Sequence, residues 1–186
     1  MRILRKLIFR RFETVLYRTE RLDAPTWTDL AVETVGPRRR LTDAQRTFLR
    51  KRVSSLALWR LLYWQRKGRG WLFLVRDGQR YCHYTFVTLA SRYRRQLPTM
   101  TEERALFIGP CMTEADYRGR GIYPQMLRHA VAELHKQGWG TFYIAAASKN
   151  VASLRGMEKT GFTRCETWAG TRVLFDLFIT SKKVAE

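Results

Sequence analysis

The chain is short of the residues that build metal centres, disulfide frameworks and acidic surfaces. Its three cysteines, Cys82, Cys111 and Cys165, are odd in number and lack redox or zinc spacing, so reduced thiols in a cytoplasmic protein are expected. Its three histidines, His83, His129 and His135, form no zinc motif, and no metal is expected. No apolar run approaches membrane-spanning length. No internal repeat or low-complexity linker interrupts the chain. Acidic side chains are scarce: 16 Asp and Glu stand against 35 Lys and Arg, a formal net charge of +19. That imbalance bears on partners rather than on fold: it attracts anionic metabolites, polyanions and membrane surfaces and repels polycations.

What is present suits a globular protein. The 186 residues are 45% hydrophobic and 27% charged, which predicts one domain over 1–186 with a sizeable core. Residues 1–12 are basic and apolar together, with Arg2, Arg5, Lys6, Arg10 and Arg11 beside Ile3, Leu4, Leu7, Ile8 and Phe9. The segment does not read as a secretory signal. As an amphipathic helix it would lie on the inner face of an anionic membrane, a peripheral contact to weigh against packing on its own domain.

Hydrophobic periodicity then outlines the elements. A first strand is expected over Glu13–Arg18 and a short helix from Ala24–Pro25–Thr26, with Thr26 or Asp29 near its start, broken by Gly36–Pro37. Thr42 and Asp43 offer a cap for one helix carrying Phe48, Leu49, Val53, Leu56, Ala57, Leu61 and Leu62 on its core face. Trp59, Tyr63 and Trp64 are expected in that core, the alternative being that they line an acceptor pocket. Trp71–Val75, an Asp77–Gly78 turn and Tyr81–Val87 predict a hairpin. The arginine-rich connection Leu89–Glu103 has the length of a binding element or lid. Two last strands, around Thr163–Trp168 and Arg172–Ile179, would turn at Ala169–Gly170.

The most informative stretch follows the strand-like run Ala105–Thr113. Tyr117-Arg118-Gly119-Arg120-Gly121-Ile122-Tyr123-Pro124 is a basic glycine turn leading into a helix marked by Met126, Leu127, Ala130, Val131 and Leu134. Pro124 suits a first helical turn and Gly138 a C-terminal cap. Such a strand–turn–helix start converges free amides and the positive end of the helix dipole on one point, which attracts phosphate. Gly119 and Gly121 permit close backbone approach, and Arg118 and Arg120 add charge. The sequence lacks the Gly-Lys-Ser/Thr ending of a nucleotide-hydrolase loop. A second segment lies about thirty residues on: a buried strand over Phe142–Ala147, Asn150 placed to cap a helix, and Gly161–Phe162 closing it.

Arg118-x-x-Gly121, followed by Asn150-x-x-Ser153 and Lys159-x-Gly161-Phe162, resembles the acetyl-CoA half of the GNAT superfamily of N-acyltransferases. The resemblance is strong over Ala105–Phe162 and extends to the flanks by general layout. It implies an α/β (α+β) fold with a mixed, splayed central sheet flanked by helices, the pantetheine arm of acetyl-CoA entering between the strands at Ala105–Thr113 and Thr141–Ala147. It implies attack of an acceptor amine on the thioester. The amides of Gly119, Arg120, Gly121, Ile122 and Tyr123, with Arg118, are candidates for the pyrophosphate. Cys111, Met112 and Thr113 would meet pantetheine and polarise the carbonyl. Asn150 and Ser153 would stand on the opposite wall, Asn150 as a catalytic candidate or simply a cap.

Two positions depart from the pattern. Tyr123 stands where members often have Gly or Ala, which crowds the approach. Met157 stands where many carry a tyrosine that protonates the CoA thiolate, so another group or water must serve; Ser148 and Tyr143 lie nearby in sequence. For the general base, His83 has a suitable intrinsic pKa, and Glu103 and Glu114 flank the strand. Cys111 shows no His/Asp partner and reads as a buried thiol rather than an acyl carrier.

His83-Tyr84-Thr85-Phe86 and Gly121-Ile122-Tyr123-Pro124 also resemble GNAT members associated with glycan biosynthesis. With the net charge, that points to a small anionic amine acceptor such as a nucleotide- or lipid-linked amino sugar. The alternatives are acetylation of a protein or peptide, and a non-catalytic nucleic-acid-binding or CoA-sensing protein on the same fold. Steep salt-dependent RNA binding without CoA binding would favour the last class.

Overall fold

Runs of β-branched and aromatic residues pair into an eight-stranded sheet, and the helices between them lie on its two faces. The computed structural model describes residues 9–27, 30–173 and 178–184. The strands are β1 (Phe9–Thr19), β2 (Ala31–Val35), β3 (Gly70–Asp77), β4 (Arg80–Leu89), β5 (Ala105–Thr113), β6 (Thr141–Ala147), β7 (Thr163–Val173) and β8 (Phe178–Lys183). The helices are α1 (Asp43–Arg50), α2 (Ser55–Arg66), α3 (Ile122–Lys136) and α4 (Val151–Thr160). The sheet order is β2-β3-β4-β5-β6-β1-β7-β8. β5 and β6 run parallel, and every other described pair is antiparallel. This is the mixed α+β architecture expected.

The period of two along a strand divides the core between the faces. On β3, Trp71, Phe73 and Val75 pack in one cluster with Met126, Leu127, Ala130, Val131 and Leu134 of α3. Leu72 and Leu74 pack in the other with Phe48 and Leu49 of α1 and Leu58 and Leu61 of α2. Covered on both sides, β3 reads as an unbroken apolar run. A third cluster gathers Leu97 and Met100 of the long connection with Leu16, Phe107, Tyr143 and Trp168.

Several expectations are corrected. Ala31–Val35 is a strand antiparallel to β3, not part of a helix. Its Val32, Thr34 and Val35 are β-branched and lose rotamer freedom in a helix. Residues 24–27, where that helix was to begin, carry no helix; residues 28 and 29, the second of them the alternative start Asp29, lie outside the described residues, as do residues 1–8 of the basic N-terminal segment. The single helix expected after Thr42 is two. Thr42 caps α1 with a complete capping box, and the Ser54 side chain accepts from Ala57 N–H to start α2. Ala169 and Gly170 do not turn; they pair with Glu13 and Phe12 within β7. His129, on α3, is half-buried against the edges of Trp27 and Phe73, where burial lowers its pKa.

The feature that positions the site is where β5 and β6 part. They pair only over Ala105–Ile108 and Thr141–Ile144. Beyond that point β5 continues on β4 and β6 on β1, so the sheet opens. A bulge marks the parting: Thr85 pairs with Cys111 and Val87 with Ile108, leaving Gly109 and Pro110 opposite Phe86. Gly109 has φ +138°, open to glycine and strained for other residues. Among the described residues no helix is long and apolar enough to cross a membrane.

Candidate active site

The opening between β5 and β6 is the floor of a cleft of about 1130 Å³. Gly109–Thr113 form one wall and Ala145–Ala147 the other, roofed by the start of α3 and by α4. It exceeds the usual volume of a single small-ligand pocket, roughly 300–1,000 Å³.

One end is built for an anion. Gly121 takes the cap position of α3 with φ +74° and no side-chain cap, so the first amides of the helix remain open. Gly119, also at positive φ, and Arg118 line the same end. Arg118 Nε donates to the Thr113 carbonyl at 3.2 Å, tying this loop to the end of β5. Arg120 turns away, its guanidinium 4.8 Å over the Tyr117 ring, and does not line the cleft. From α4, Arg155 and Lys159 face the cleft. Their spacing of one helical turn, counted from the Asn150 cap, was the available signal for Arg155, which sequence reasoning missed. Asn150 caps α4 by accepting from Ser153 N–H at 3.2 Å, and both residues line the cleft wall.

Cys111, Met112, Thr113, Ile122 and Tyr123 line the middle. Burial pushes the Cys111 thiol up to about 12, so it is no nucleophile at neutral pH. Tyr123 reaches down from α3 to a place beside Gly156, where a Cβ would stand 2.9 Å from its ring. Its hydroxyl makes no hydrogen bond among the described residues, and burial raises its pKa, so it stays protonated. Tyr117, at the same mouth, differs: its hydroxyl donates to Asp77 at 3.1 Å. Met157 is 1% exposed, part of the core, and also lines the cleft.

The base candidates do not reach the cleft. His83 is 0% exposed, with Nδ1 2.7 Å from Thr113 Oγ1 and Nε2 2.8 Å from Thr85 Oγ1. Burial lowers its pKa to about 3, so it is a neutral core imidazole with both nitrogens engaged. Glu114 is paired with Arg52. Glu103 is exposed, away from the lining. Among the described residues no carboxylate or imidazole lines the cleft. No group of His, Cys, Asp and Glu among them could hold a metal ion.

The far end is neutral and aromatic. Tyr93 stacks on Phe107 with centroids 4.1 Å apart, and Gln96, Leu97, Phe12 and Thr14 complete it. Three of these come from the long arginine-rich connection, yet none is an arginine.

A model of the GNAT acetyltransferase domain matches residues 6–163. The chain belongs to this family. No curated protein matches this GNAT chain in sequence. In structure it is similar to a GNAT-family acetyltransferase from Novosphingobium aromaticivorans (TM-score 0.59, 15% identity, 87% of this chain and 63% of that one). It is equally similar to a GNAT-family acetyltransferase from Colwellia psychrerythraea (TM-score 0.59, 16% identity, 88% and 55%). A GCN5-related glucosamine N-acetyltransferase region of a fungal multi-domain β-N-acetylglucosaminidase superposes with TM-score 0.63 at 14% identity over 90% of this chain and 22% of that one. At these identities the likeness is one of fold. The chain spans 63% and 55% of the lengths of the two bacterial proteins.

Proposed function

We propose that this GNAT protein is a one-domain N-acetyltransferase that moves the acetyl group of acetyl-CoA to the primary amine of a small acceptor by direct attack. The observation that carries this is the cleft itself: an uncapped helix N-terminus with basic side chains at one end, an apolar slot between parted strands, and an aromatic neutral chamber at the other. The donor fits that order. The amides of Gly119, Gly121, Ile122 and Tyr123, with Arg118, Arg155 and Lys159, would hold its phosphates, and the strands would flank its pantetheine arm. Acetyl-CoA, when bound, supplies the activated acyl carbon.

The chain's own residues then have limited chemistry to perform. Backbone amides near Cys111–Thr113 orient the carbonyl. Holding amine and thioester together removes much of the barrier. With no carboxylate or imidazole lining the cleft among the described residues, the amine proton passes to water, and the acceptor reacts as the free amine. Tyr123 takes the part of hydrogen-bond donor to the departing sulfur, a phenol supplied from α3 where α4 has Met157.

The acceptor we infer is an anionic amine such as a nucleotide- or lipid-linked amino sugar. The net charge of +19 supports this by steering anions toward the protein. The neutral chamber of Tyr93, Phe107 and Gln96 would hold the amine-bearing part, so the charge preference would come from the surrounding field.

Calorimetric titration with acetyl-CoA tests the reading, with Arg118→Ala/Gly121→Trp as control. Saturable binding that the variant loses is expected, followed by turnover on a panel of amino-sugar nucleotides. Absence of binding at moderate salt would remove the donor and the proposal with it.

A further inference from the structure

Helix α2 has two apolar faces. Leu58, Leu61 and Gln65 are buried beneath it. On the opposite side, at helical spacing, Leu56, Trp59 and Tyr63 are 55%, 63% and 43% exposed. Trp59 and Tyr63 stack on one another, with centroids 5.8 Å apart and planes 25° from parallel, so they form one ridge. This corrects the expectation that Leu56, Trp59 and Tyr63 belong to the core.

Basic side chains border the ridge. Arg60, Arg66 and Lys67 are exposed, and at about 100° per residue Arg60 falls on one flank of the ridge and Arg66 on the other. The Lys67 ammonium lies 5.8 Å over the Tyr63 ring. None of the three forms an ion pair among the described residues. α2 itself contains no acidic residue.

The charge decides what could cover this face. A second copy would bring its own Arg60, Arg66 and Lys67 against the first, on a chain of net charge +19. A single-stranded nucleic acid stacks its bases on free aromatic faces, and here Trp59 and Tyr63 turn one face of each ring to the other while Leu56 beside them offers none. An anionic bilayer meets every feature. Aromatic and aliphatic side chains settle at the acyl–headgroup boundary, while flanking cations reach lipid phosphates. We propose that the outer face of α2 seats this protein on an anionic membrane surface.

The position of the face relative to the cleft gives docking a purpose. Trp64 of α2 lies under Arg92, whose guanidinium is 4.7 Å from its ring centroid. Arg92 shares a short 3-10 turn with Tyr93, which lines the neutral end of the cleft. A docked α2 therefore brings the acceptor end close to the lipid surface.

Co-sedimentation of the full chain with phosphatidylglycerol/phosphatidylcholine vesicles and with pure phosphatidylcholine vesicles tests this. Binding to the anionic vesicles alone is expected. Leu56→Ser/Trp59→Ser/Tyr63→Ser should weaken it about tenfold, and Arg60→Glu/Lys67→Glu comparably. The charge variant leaves the apolar ridge intact, so the test stands even if the serine variant fails to fold. Absence of binding to anionic vesicles would overturn the proposal. So would binding unchanged in both variants, which would assign it to another surface such as residues 1–12. Binding to single-stranded RNA that the substitutions abolish, with no vesicle binding, would place nucleic acid on this face instead.

Discussion

The ring of Tyr123 fills the space that a side chain at Gly156 would need: a Cβ there would stand 2.9 Å from two ring carbons. α3 and α4 thus exchange bulk at their contact, large on α3 and absent on α4. Seen with Met157, the exchange has a chemical meaning. The aromatic hydroxyl is missing from the expected place on α4, and one enters the same cleft from the facing helix.

Gly156→Ala therefore sets two effects against each other. Gly156 has ordinary helical φ, so alanine gains about 1 kcal/mol of helix propensity. Overpacking against the Tyr123 ring costs about 1–3 kcal/mol. We expect net destabilisation of order 1 kcal/mol in urea unfolding. Adding Tyr123→Leu should recover it, because the ring is the obstacle.

Tyr123→Phe keeps the ring and removes the hydroxyl. We expect kcat to fall on the order of 10²-fold, the scale of a lost proton donor, with the KM for acetyl-CoA unchanged. Thiol release followed with a chromogenic disulfide reports both. An unchanged kcat would assign the thiolate proton to water.

His83 predicts a pH dependence of stability. Its folded pKa, about 3, lies below the unfolded value of about 6.5, so the unfolded chain binds the extra proton between these limits. Stability is full above about 6.5 and falls as pH drops toward 3, by about 1.4 kcal/mol per unit once below 6.5. Between pH 7 and pH 5 the native chain should lose about 2 kcal/mol more than His83→Gln, measured by urea unfolding at both pH values.

The same burial separates His83 from the pH dependence of catalysis. With no carboxylate or imidazole in the cleft lining among the described residues, kcat/KM should rise with the ionisation of the acceptor amine itself. Two acceptors of different amine pKa should give profiles displaced by that difference. A shared inflection between pH 5 and pH 7, whatever the acceptor, would reveal a base on the enzyme.

The glycine turn and the two helix starts at the basic end of the cleft were legible in the sequence because they are set by local backbone. Gly119, Gly121 and the Asn150 cap are local conformational signals, and strand Ala105–Thr113 was read to its bounds. The acid–base assignment was not legible. His83, Glu103 and Glu114 are chemically apt, but a core position, an exposed one and an ion pair with Arg52 are facts of tertiary placement. Trp59 and Tyr63 misled for the opposite reason: large aromatics on an amphipathic helix are usually core, and here the helix has a second apolar side. β2 was hidden because its five residues are too few to show a period against the helix pattern beside them.

β1 lies inside the sheet, flanked by β6 and β7, although it precedes every other described strand in sequence. Its partners β6 and β7 are made after β2 to β5, and during synthesis both of its edges wait unpaired until β6 and β7 have left the ribosome. Sheet completion is bound to be a late, long-range event, slower than the hairpin β3–β4, which can close from its own turn. A chain interrupted before Thr163 would present the β1 edge that β7 normally covers, an open template for strand addition by a neighbouring molecule.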